Sequence, residues 1–361
     1  MKAVVLVGGL GTRLRPLTWH TPKALVPVLN RPFLEHVLLR LKEHGVDEAV
    51  LAISNLAEEI EACLGDGGRL GIKISYALEK TALGTAGAVK NASELISDSF
   101  FVLNGDIYTD LDYSAMLDFH RRRHACATIA LTPVDDPTHY GLIETGPDGR
   151  VKRFLEKPKK EEITTNMINA GTYILEPEVM SRIPALQEYS FERQLFPGML
   201  AAGEPVFAFP SSGYWIDIGN PEKYMRLNFD LLAGKSGRYG FERGDEVVIG
   251  KGCKIAASAR ISGPVLLGEG CEMGDGAVIE GPAVIGAGCR IGGGAIVRSS
   301  ILWDRVSFGE GCCVASGIIA SDCCIGEDIC LDGVVAGDHV VIGHGAVVPQ
   351  GQCIEPGHTL G

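Results

Sequence analysis

The feature that most constrains the fold of this chain is a six-residue repeat in its C-terminal third. From residue 249 to residue 297, an aliphatic residue or methionine stands at every sixth position, nine times in succession. One repeat is too short to bury its own apolar side, so successive repeats must stack, and this period is typical of a parallel β-helix. The nine positions are Ile249, Ile255, Ile261, Leu267, Met273, Ile279, Ile285, Ile291 and Val297.

The repeat has further regularities that refine this interpretation. A small residue follows four positions after each repeat residue up to Ile291, and the period slips after Val297. The pattern resembles the left-handed β-helix of hexapeptide repeats, in which three repeats form one coil. The period resumes at Ile319, Ile325 and Leu331, and again at Ile342, Val348 and Ile354.

Nine of the eleven cysteines lie after residue 250, within the repeat region. Cys253, Cys271 and Cys289 are eighteen residues apart, so we expect them to stack on one another inside consecutive coils. We interpret all nine cysteines of this region as small apolar fillers. The adjacent pairs 312–313 and 323–324 suggest a metal or redox site instead. No C-x-x-C spacing occurs, and two neighbouring cysteines rarely face one ion, so the packing role is favoured.

The chain before residue 233 follows a different pattern, in which strand-like and helix-like segments alternate. Residues 3–7, AVVLV, are typical of a buried strand, and the stretch from Pro32 to Gly45 has leucines and a valine at helical spacing. Such alternation predicts an α/β, Rossmann-like domain with a mostly parallel sheet. In such sheets ligands bind at the carboxyl ends of the strands, where both GGLG (8–11) and NGD (104–106) fall. We predict this domain over residues 1–232, a linker over 233–246 and the β-helix over 247–361.

The composition excludes several classes of partner. The formal net charge is −12, from 45 acidic and 33 basic residues, which argues against nucleic acid and anionic membranes. The apolar run at the N-terminus is too short for a signal peptide or a membrane span. We therefore expect a cytoplasmic protein with reduced cysteines.

The stretch LVGGLGTRLRPLTWHTPKALVPV, residues 6–28, combines glycines with three cations, Arg13, Arg15 and Lys23. It matches neither the Walker loop nor the dinucleotide fingerprint. Three prolines stiffen the backbone that carries the cations. Backbone N–H groups beside fixed cations form a polyphosphate-binding loop, whereas a solvated basic stretch would need no such stiffening.

The same stretch resembles the signature of the sugar-1-phosphate nucleotidyltransferases. The resemblance implies that Arg13 and Lys23 contact the phosphates of a nucleoside triphosphate. It also implies that LGTAG (83–87) helps to enclose the base. The nucleotide-binding positions implied in this way are Leu6, Gly8, Gly9, Gly11, Thr12, Gly84 and Thr85.

Further segments resemble motifs of the family in the family's order: NGD (104–106), YGLIE (140–144), FLEKP (154–158), NAG (169–171) and WIDIG (215–219). The resemblance implies that Asp106 and Asp217 hold Mg²⁺. Lys157 would direct the incoming phosphate. The implied catalytic residues are Arg13, Lys23, Asp106, Lys157 and Asp217, and the implied sugar-phosphate-binding residues are Gly141, Glu156, Lys157 and Asn169.

Within the family, the motifs are most similar to those of mannose-1-phosphate guanylyltransferases, which favours GTP and mannose 1-phosphate as substrates. Thymidylyl- and uridylyltransferases for glucose 1-phosphate share most of the motifs and remain open. Two alternatives of another class also remain open: a non-catalytic regulatory subunit of the same fold, and a hexapeptide acyltransferase with His339 or His344 as its base. We expect a homo-oligomer formed through the β-helix.

Overall fold

The structure is a computed structural model that describes residues 1–54, 56–236 and 247–361. Most of the predicted linker, residues 237–246, lies outside the described residues. The chain forms two compact units. The first contains Met1–Gly9 and Leu34–Ile216, and the second contains Leu10–Phe33 and Asp217–Gly361. The segment Leu10–Phe33 therefore groups with the β-helix and not with its neighbours in sequence.

The part before residue 237 carries the helices and the longer strands. The helix predicted between Pro32 and Gly45 is present as α1, and it buries Leu34, Leu38 and Leu41 completely. The α-helices are α1 (Phe33–Glu43), α2 (Ala57–Leu64), α3 (Gly84–Asn91), α4 (Tyr113–Arg123), α5 (Phe196–Ala201) and α6 (Pro221–Leu232). The strands are β1 (Lys2–Leu6), β2 (Pro27–Val28), β3 (Arg31–Pro32), β4 (Glu48–Ile53), β5 (Lys73–Leu78), β6 (Phe100–Asn104), β7 (Ile107–Thr109), β8 (Ala127–Pro133), β9 (Gly141–Thr145), β10 (Val151–Glu156), β11 (Met167–Leu175), β12 (Val206–Pro210) and β13 (Trp215–Asp217).

The first unit is built on a nine-stranded sheet with the order β10-β9-β11-β6-β1-β4-β5, and β8 and β12 extend it beside β11. The run β6-β1-β4-β5 is parallel, as predicted. β11 is antiparallel to β6, β8 and β9, so the parallel sheet continues into an antiparallel part. Because the parallel strands end at one edge, the residues that follow β1, β4, β5 and β6 meet there.

The second unit contains the predicted left-handed β-helix, whose strands form three parallel sheets. None of the helices in the described parts of the chain is long and apolar enough to cross a membrane. The strands are β14 (Val247–Ile249), β15 (Lys254–Ile255), β16 (Arg260–Ser262), β17 (Val265–Leu267), β18 (Glu272–Met273), β19 (Val278–Glu280), β20 (Ala283–Ile285), β21 (Arg290–Ile291), β22 (Ile296–Arg298), β23 (Ile301–Leu302), β24 (Ser307–Phe308), β25 (Cys313–Ala315), β26 (Ile318–Ile319), β27 (Cys324–Ile325), β28 (Cys330–Asp332), β29 (Val335–Ala336), β30 (Val341–Ile342), β31 (Cys353–Ile354) and β32 (Thr359–Leu360).

The slip in the repeat after Val297 has a simple structural cause. Early coils have eighteen residues, since Ile279 pairs with Val297, but Ile285 pairs with Leu302, seventeen residues further on. The shorter coil has one residue fewer because one of its corners, between the sheet of β22 and the sheet of β23, is shorter by one residue. The aliphatic residues keep facing the interior because the shortening falls in a corner and not in a strand.

The inward positions of the repeat are buried as predicted, except in the first coil and at Val348, which is half-buried. Ile249 and Ile255 remain 49% and 38% exposed, because no coil precedes them in the described β-helix. Among the cysteines, Cys271 and Cys289 are buried, and their thiols donate to the carbonyl oxygens of Gly286 and Trp303 at 3.1 and 3.0 Å.

The expectation that all the repeat-region cysteines are interior fillers is wrong for part of the set. Cys324, Cys330 and Cys353 are exposed, and Cys313 is half-buried. Strand alternation is the reason, because adjacent residues of a strand point to opposite sides of a sheet. In each of the pairs 312–313 and 323–324, the first cysteine is buried and the second is not.

Candidate active site

The glycine loop begins where β1 ends, at the edge of the sheet in the first unit. Leu6 pairs with Asn104 of β6, and the Leu6 carbonyl accepts a hydrogen bond from the Gly105 N–H at 2.9 Å. Asp106 follows directly and is half-buried. Ser54, at the end of β4, donates to the Gly8 carbonyl at 2.8 Å. Leu6, Gly8 and Asp106 therefore belong to one strand edge, as predicted.

Glu79 stands at the same edge, directly after β5, and was not predicted. Its Oε2 accepts a hydrogen bond from the Leu83 N–H at 3.2 Å. Its Oε1 lies 3.2 Å from the point where a Cβ on Gly8 would stand. Burial raises the pKa of this carboxyl, and it has no cationic partner in the part of the chain that the structure describes. A half-buried carboxylate without such a partner is suited to accept hydrogen bonds from a ligand.

The LGTAG segment forms the start of α3 but offers few free amides there. The N–H groups of Ala86 and Gly87 donate to the Tyr189 carbonyl at 2.9 and 3.0 Å. A Cβ on Gly84 would lie 2.8 Å from that same carbonyl oxygen, which explains the glycine. Because these amides are already used, the segment is better suited to enclose a ligand than to bind a phosphate.

Glu192 connects two of the predicted motifs and was also not predicted. Its carboxylate accepts hydrogen bonds from Thr85 Oγ1 at 3.0 Å, from Ser190 Oγ at 2.7 Å and from the Tyr173 hydroxyl at 3.3 Å. The Tyr173 hydroxyl in turn accepts from Asn169 Nδ2 at 2.8 Å. Glu192 therefore joins the LGTAG segment to the NAG segment through one buried tyrosine.

The YGLIE and FLEKP segments are neighbours because β9 pairs with β10. Gly141 stands opposite Glu156, and a Cβ on Gly141 would come within 3.0 Å of Glu156 Oε2. Burial, and then the charge of Glu192, raise the pKa of Glu156. Lys157 follows with a φ of 49°, a left-handed conformation that costs free energy in a lysine and is common at functional sites. Its side chain is exposed.

The remaining predicted nucleotide-binding residues lie in the second unit. Gly11 has a φ of 61° and begins a short 3₁₀ turn, Thr12–Leu14, that carries Thr12 and Arg13. The Gly11 carbonyl accepts from Thr18 Oγ1 at 2.8 Å. A Cβ on Gly11 would stand 3.1 Å from Lys23 Cβ, so the backbone at Gly11 and the side chain of Lys23 are close.

Asp217 ends β13 and lies in the same unit as Arg13. A Cβ on Gly219 would lie 3.1 Å from Asp217 Oδ1 and 3.4 Å from Arg13 Nη2, so these two side chains face the same glycine. Lys223, in the first turn of α6, places its Nζ 2.6 Å from Asp217 Oδ1. The structure thus adds Lys223 to the predicted cations of this unit.

The predicted residues fall into two groups, one in each unit. The first unit holds Leu6, Gly8, Gly9, Gly84, Thr85, Asp106, Gly141, Glu156, Lys157 and Asn169, and the second holds Gly11, Thr12, Arg13, Lys23 and Asp217.

Of the three site residues that were not predicted, two had weak signals in the sequence. Glu79 lies four residues before the LGTAG segment, and Lys223 lies in the stretch WIDIGNPEKY. Glu192 lies in no recognised sequence motif. In the structure it lies in a π-helical turn, Phe191–Leu195, a feature that is frequent at functional sites. His339 and His344, the residues considered for an acyltransferase, are both exposed.

Comparison with known families gives two matches along the chain. A sequence profile described as nucleotidyl transferase matches residues 2–234. A second profile, described as the GMPPB C-terminal domain, matches residues 261–360. The two profiles cover most of the first predicted domain and most of the β-helix.

Curated relatives extend this comparison. The chain is 39% identical over 284 residues to mannose-1-phosphate guanylyltransferase of Mycobacterium tuberculosis, which covers 73% of this chain and 79% of that protein. It is 43% identical over 230 residues to mannose-1-phosphate guanylyltransferase catalytic subunit beta of Danio rerio, covering 62% of this chain and 63% of the relative. It is also 38% identical over 247 residues to UTP–glucose-1-phosphate uridylyltransferase of Synechocystis sp., covering 64% of each. The chain thus spans slightly less than two thirds of the latter two relatives.

Solved structures agree at the level of the first domain. HddC from Yersinia pseudotuberculosis is 33% identical, with a TM-score of 0.56, and the match covers 64% of this chain and 99% of HddC. The same protein complexed with GMP-PN matches with a TM-score of 0.56 at 32% identity.

Proposed function

Because this chain belongs to the nucleotidyl transferase family and is a sugar-phosphate nucleotidyltransferase, we propose that it converts GTP and mannose 1-phosphate to GDP-mannose and pyrophosphate. An oxygen of the sugar phosphate bonds to the α-phosphorus of GTP, and the bond from that phosphorus to the pyrophosphate oxygen breaks. The nucleophile is already an anion, so the reaction requires no general base. Its main difficulty is to hold two anions in line.

The observation that best supports guanine is the carboxylate of Glu79. Guanine presents two adjacent donors, N1–H and the N2 amino group, which match a carboxylate that can accept with two oxygens. Uracil and thymine present one N–H between two carbonyl oxygens, and those oxygens would be repelled by the same carboxylate. The complex of HddC with GMP-PN is a second support.

The roles of the cations follow from charge and place. We assign Arg13 and Lys23 to the triphosphate, because both lie on the loop that Gly11 begins, and Arg13 to the departing pyrophosphate in particular. Lys157 would bind the phosphate of the incoming sugar phosphate from its exposed position after β10. Leu6, Gly8, Gly9, Gly11 and Thr12 would allow the nucleotide to approach the backbone closely, and Gly84 and Thr85 would enclose the base.

The sugar site is assigned to the network around Glu192. Gly141 leaves room beside Glu156. The Glu156 carboxylate can accept hydrogen bonds from sugar hydroxyls, and the Asn169 amide can both donate and accept them. Hydroxyl groups on a sugar need such partners on several sides, since each can both donate and accept. Glu192 would fix the orientation of Thr85 and Tyr173, and through Tyr173 that of Asn169.

Members of this family use a divalent metal ion, and we propose Mg²⁺ for this chain, held by Asp106 and Asp217. Carboxylate oxygens are the ligands that this ion prefers. No cluster of three or more His, Cys, Asp or Glu side chains able to hold a metal occurs in the described ranges, which agrees with an ion that takes other ligands from phosphate and water. The ion would neutralise charge on the α-phosphate.

The proposal also includes a cytoplasmic location and a homo-oligomer formed through the β-helix. None of the eleven cysteines, all of which lie in the described residues, forms a disulfide, which is typical of a reducing compartment. Size-exclusion chromatography with light scattering tests the oligomer.

The reaction is tested by measuring pyrophosphate release with Mg²⁺ for GTP, dTTP, UTP, ATP and CTP against mannose 1-phosphate and glucose 1-phosphate. We expect GTP with mannose 1-phosphate to exceed every other pair. A preference for UTP or dTTP with glucose 1-phosphate would replace the proposed substrates. The uridylyltransferase of Synechocystis sp. makes that the second candidate.

The role of Glu79 is tested with the variant Glu79→Gln, which keeps the size of the side chain but replaces one acceptor with a donor. We expect kcat/KM for GTP to fall about tenfold to a hundredfold, from the loss of a charged hydrogen bond of about 1.5–3 kcal/mol. The value for UTP should change much less. Equal losses for both nucleotides would contradict base reading by Glu79.

A further inference from the structure

The segment that carries Arg13 and Lys23 is held by the β-helix. This segment, Leu10–Phe33, groups with Asp217–Gly361 in one compact unit. We call it the phosphate segment, since both proposed triphosphate-binding cations lie on it. Whatever holds the phosphate segment therefore also determines where these two cations stand.

The first anchor is the turn between β2 and β3. Leu29 and Asn30 both adopt left-handed conformations, with φ of 48° and 58°, which asparagine tolerates but which are costly for leucine. The Leu29 N–H donates to Asn228 Oδ1 at 2.9 Å, and Asn30 Nδ2 donates to the Ile285 carbonyl at 2.7 Å. Ile285 belongs to the β-helix, so one of its coils helps to hold this turn.

The second anchor is buried and lies beside the first. The Tyr224 hydroxyl donates to the Pro27 carbonyl and accepts from Trp303 Nε1 at 3.0 Å. Both aromatic side chains are almost fully buried, Tyr224 at 0% and Trp303 at 4% exposure. Substitution here would disturb the core, so this anchor is a poor place to separate position from stability.

The third anchor is exposed, and it comes from the last coils. Trp19 Nε1 donates to the carboxylate of Glu355, and His20 Nδ1 lies 3.9 Å from Asp338 Oδ2. The guanidinium of Arg15 stacks on the Trp19 ring, 3.5 Å from its centre. Trp19 and Glu355 are both exposed, so their contact adds little to the stability of the fold. The hydrogen bond from Trp19 to Glu355 nevertheless holds the stretch of chain between Arg13 and Lys23 in place.

We propose that Glu355 is a positioning residue for the nucleoside triphosphate. By holding Trp19, it keeps the stretch between Arg13 and Lys23 in the shape that presents both cations to the phosphates. This rests on the proposed function, in which those cations bind the triphosphate. Small displacements of such cations are costly, because electrostatic stabilisation of the reacting phosphates depends on groups held in place beforehand.

The test uses the full-length chain and four variants. Glu355→Ala removes the acceptor, and Glu355→Gln keeps one. Trp19→Phe removes the indole N–H together with the five-membered ring, and leaves a six-membered ring for Arg15. Glu327→Ala, at an exposed carboxylate elsewhere on the β-helix, is the control. For each, KM for GTP, KM for mannose 1-phosphate, kcat and the melting temperature are measured.

We expect Glu355→Ala and Trp19→Phe to raise KM for GTP about threefold to tenfold, which corresponds to about 0.7–1.4 kcal/mol of binding free energy, because Arg13 and Lys23 are then held less firmly. KM for mannose 1-phosphate and the melting temperature should stay near those of the wild type. Glu355→Gln should restore most of the affinity, and Glu327→Ala should change nothing.

An unchanged KM for GTP in Glu355→Ala, or equal increases in both KM values, would overturn the positioning role. If the wild type releases no pyrophosphate, equilibrium titration with GTP decides instead. Weaker GTP binding by Glu355→Ala than by the wild type then supports the positioning role without the reaction. Equal binding, or no binding by the wild type, overturns it.

Discussion

At the scale of single residues, two half-buried acids of the proposed site differ in how far their acceptor oxygens are already used. Glu192 accepts three side-chain hydrogen bonds and so has a fixed orientation, whereas Glu79 accepts only from the Leu83 N–H among the described residues. A carboxylate whose acceptors are filled acts as a support. One whose acceptors are largely unused is available to a ligand.

The buried side chain of His120 is expected to make the stability of the fold depend on pH. Its Nδ1 lies 2.7 Å from Thr128 Oγ1, and its Nε2 lies 2.9 Å from Glu176 Oε1. Burial lowers the pKa of His120 below its ordinary value, although the Glu176 carboxylate opposes the change. The folded state therefore favours the neutral ring.

The neutral His120 ring therefore contributes fully to the free energy of unfolding above about pH 6.5, the pKa of histidine in the unfolded chain. This contribution is lost as the pH falls toward the lower pKa of His120 in the folded chain. We expect the free energy of unfolding to fall between pH 7.5 and pH 5.5 more steeply in the wild type than in His120→Gln. Denaturant unfolding at several pH values measures this, with His358→Gln, at an exposed site, as the control. Parallel profiles for the wild type and His120→Gln would contradict the prediction.

At the scale of elements, the corners of the β-helix impose two different demands on glycine. A Cβ on Gly268 would lie 2.5 Å from the carbonyl carbon of Gly286 in the next coil. Gly270 has a φ of 67°, but no atom lies within 4 Å of its Cβ position. The first glycine is required by the close approach of two coils, and the second by backbone conformation alone.

These two glycines predict different tolerances. Gly268→Ala should destabilise the chain by about 1–3 kcal/mol, because the added carbon meets backbone that cannot move aside. Gly270→Asn should cost well under 1 kcal/mol, since asparagine tolerates left-handed conformations. Guanidinium unfolding of both variants measures the difference, and a Gly268→Ala variant as stable as Gly270→Asn would show that the coils can separate.

At the scale of the whole molecule, the eleven cysteines divide by exposure. Cys324, Cys330 and Cys353 are exposed, and Cys271, Cys289, Cys312 and Cys323 are buried. Burial raises the pKa of the Cys323 thiol to about 12 and also raises that of Cys312. Because the thiolate is the reactive form, exposed thiols should react and buried ones should not.

We therefore expect three thiols of the native chain to react rapidly with a disulfide reagent. The four half-buried thiols should react slowly, and the four buried thiols only after unfolding in guanidinium. Counting the released chromophore against time measures the three classes. Rapid reaction of seven or more thiols in the native protein would mean that the coils open readily in solution.

Periodic features of the sequence were sufficient to predict the fold of the N-terminal α/β domain and that of the C-terminal β-helix. The six-residue repeat predicted the β-helix, and the alternation before residue 233 predicted the α/β sheet with its parallel strands. The motifs also predicted that Leu6, Gly8 and Asp106 stand at one strand edge. These inferences succeed because burial imposes a period on the sequence, and that period depends on local geometry alone.

The tertiary structure alone decided which distant residues meet. Glu192 joins Thr85 to Asn169 only because the chain returns at Tyr189 to the start of α3, and no period in the sequence marks that return. The segment Leu10–Phe33 is adjacent in sequence to β1 but packs with coils more than 250 residues later. Such contacts depend on how finished elements fit together, and single residues such as Glu355 carry no local pattern that reveals them.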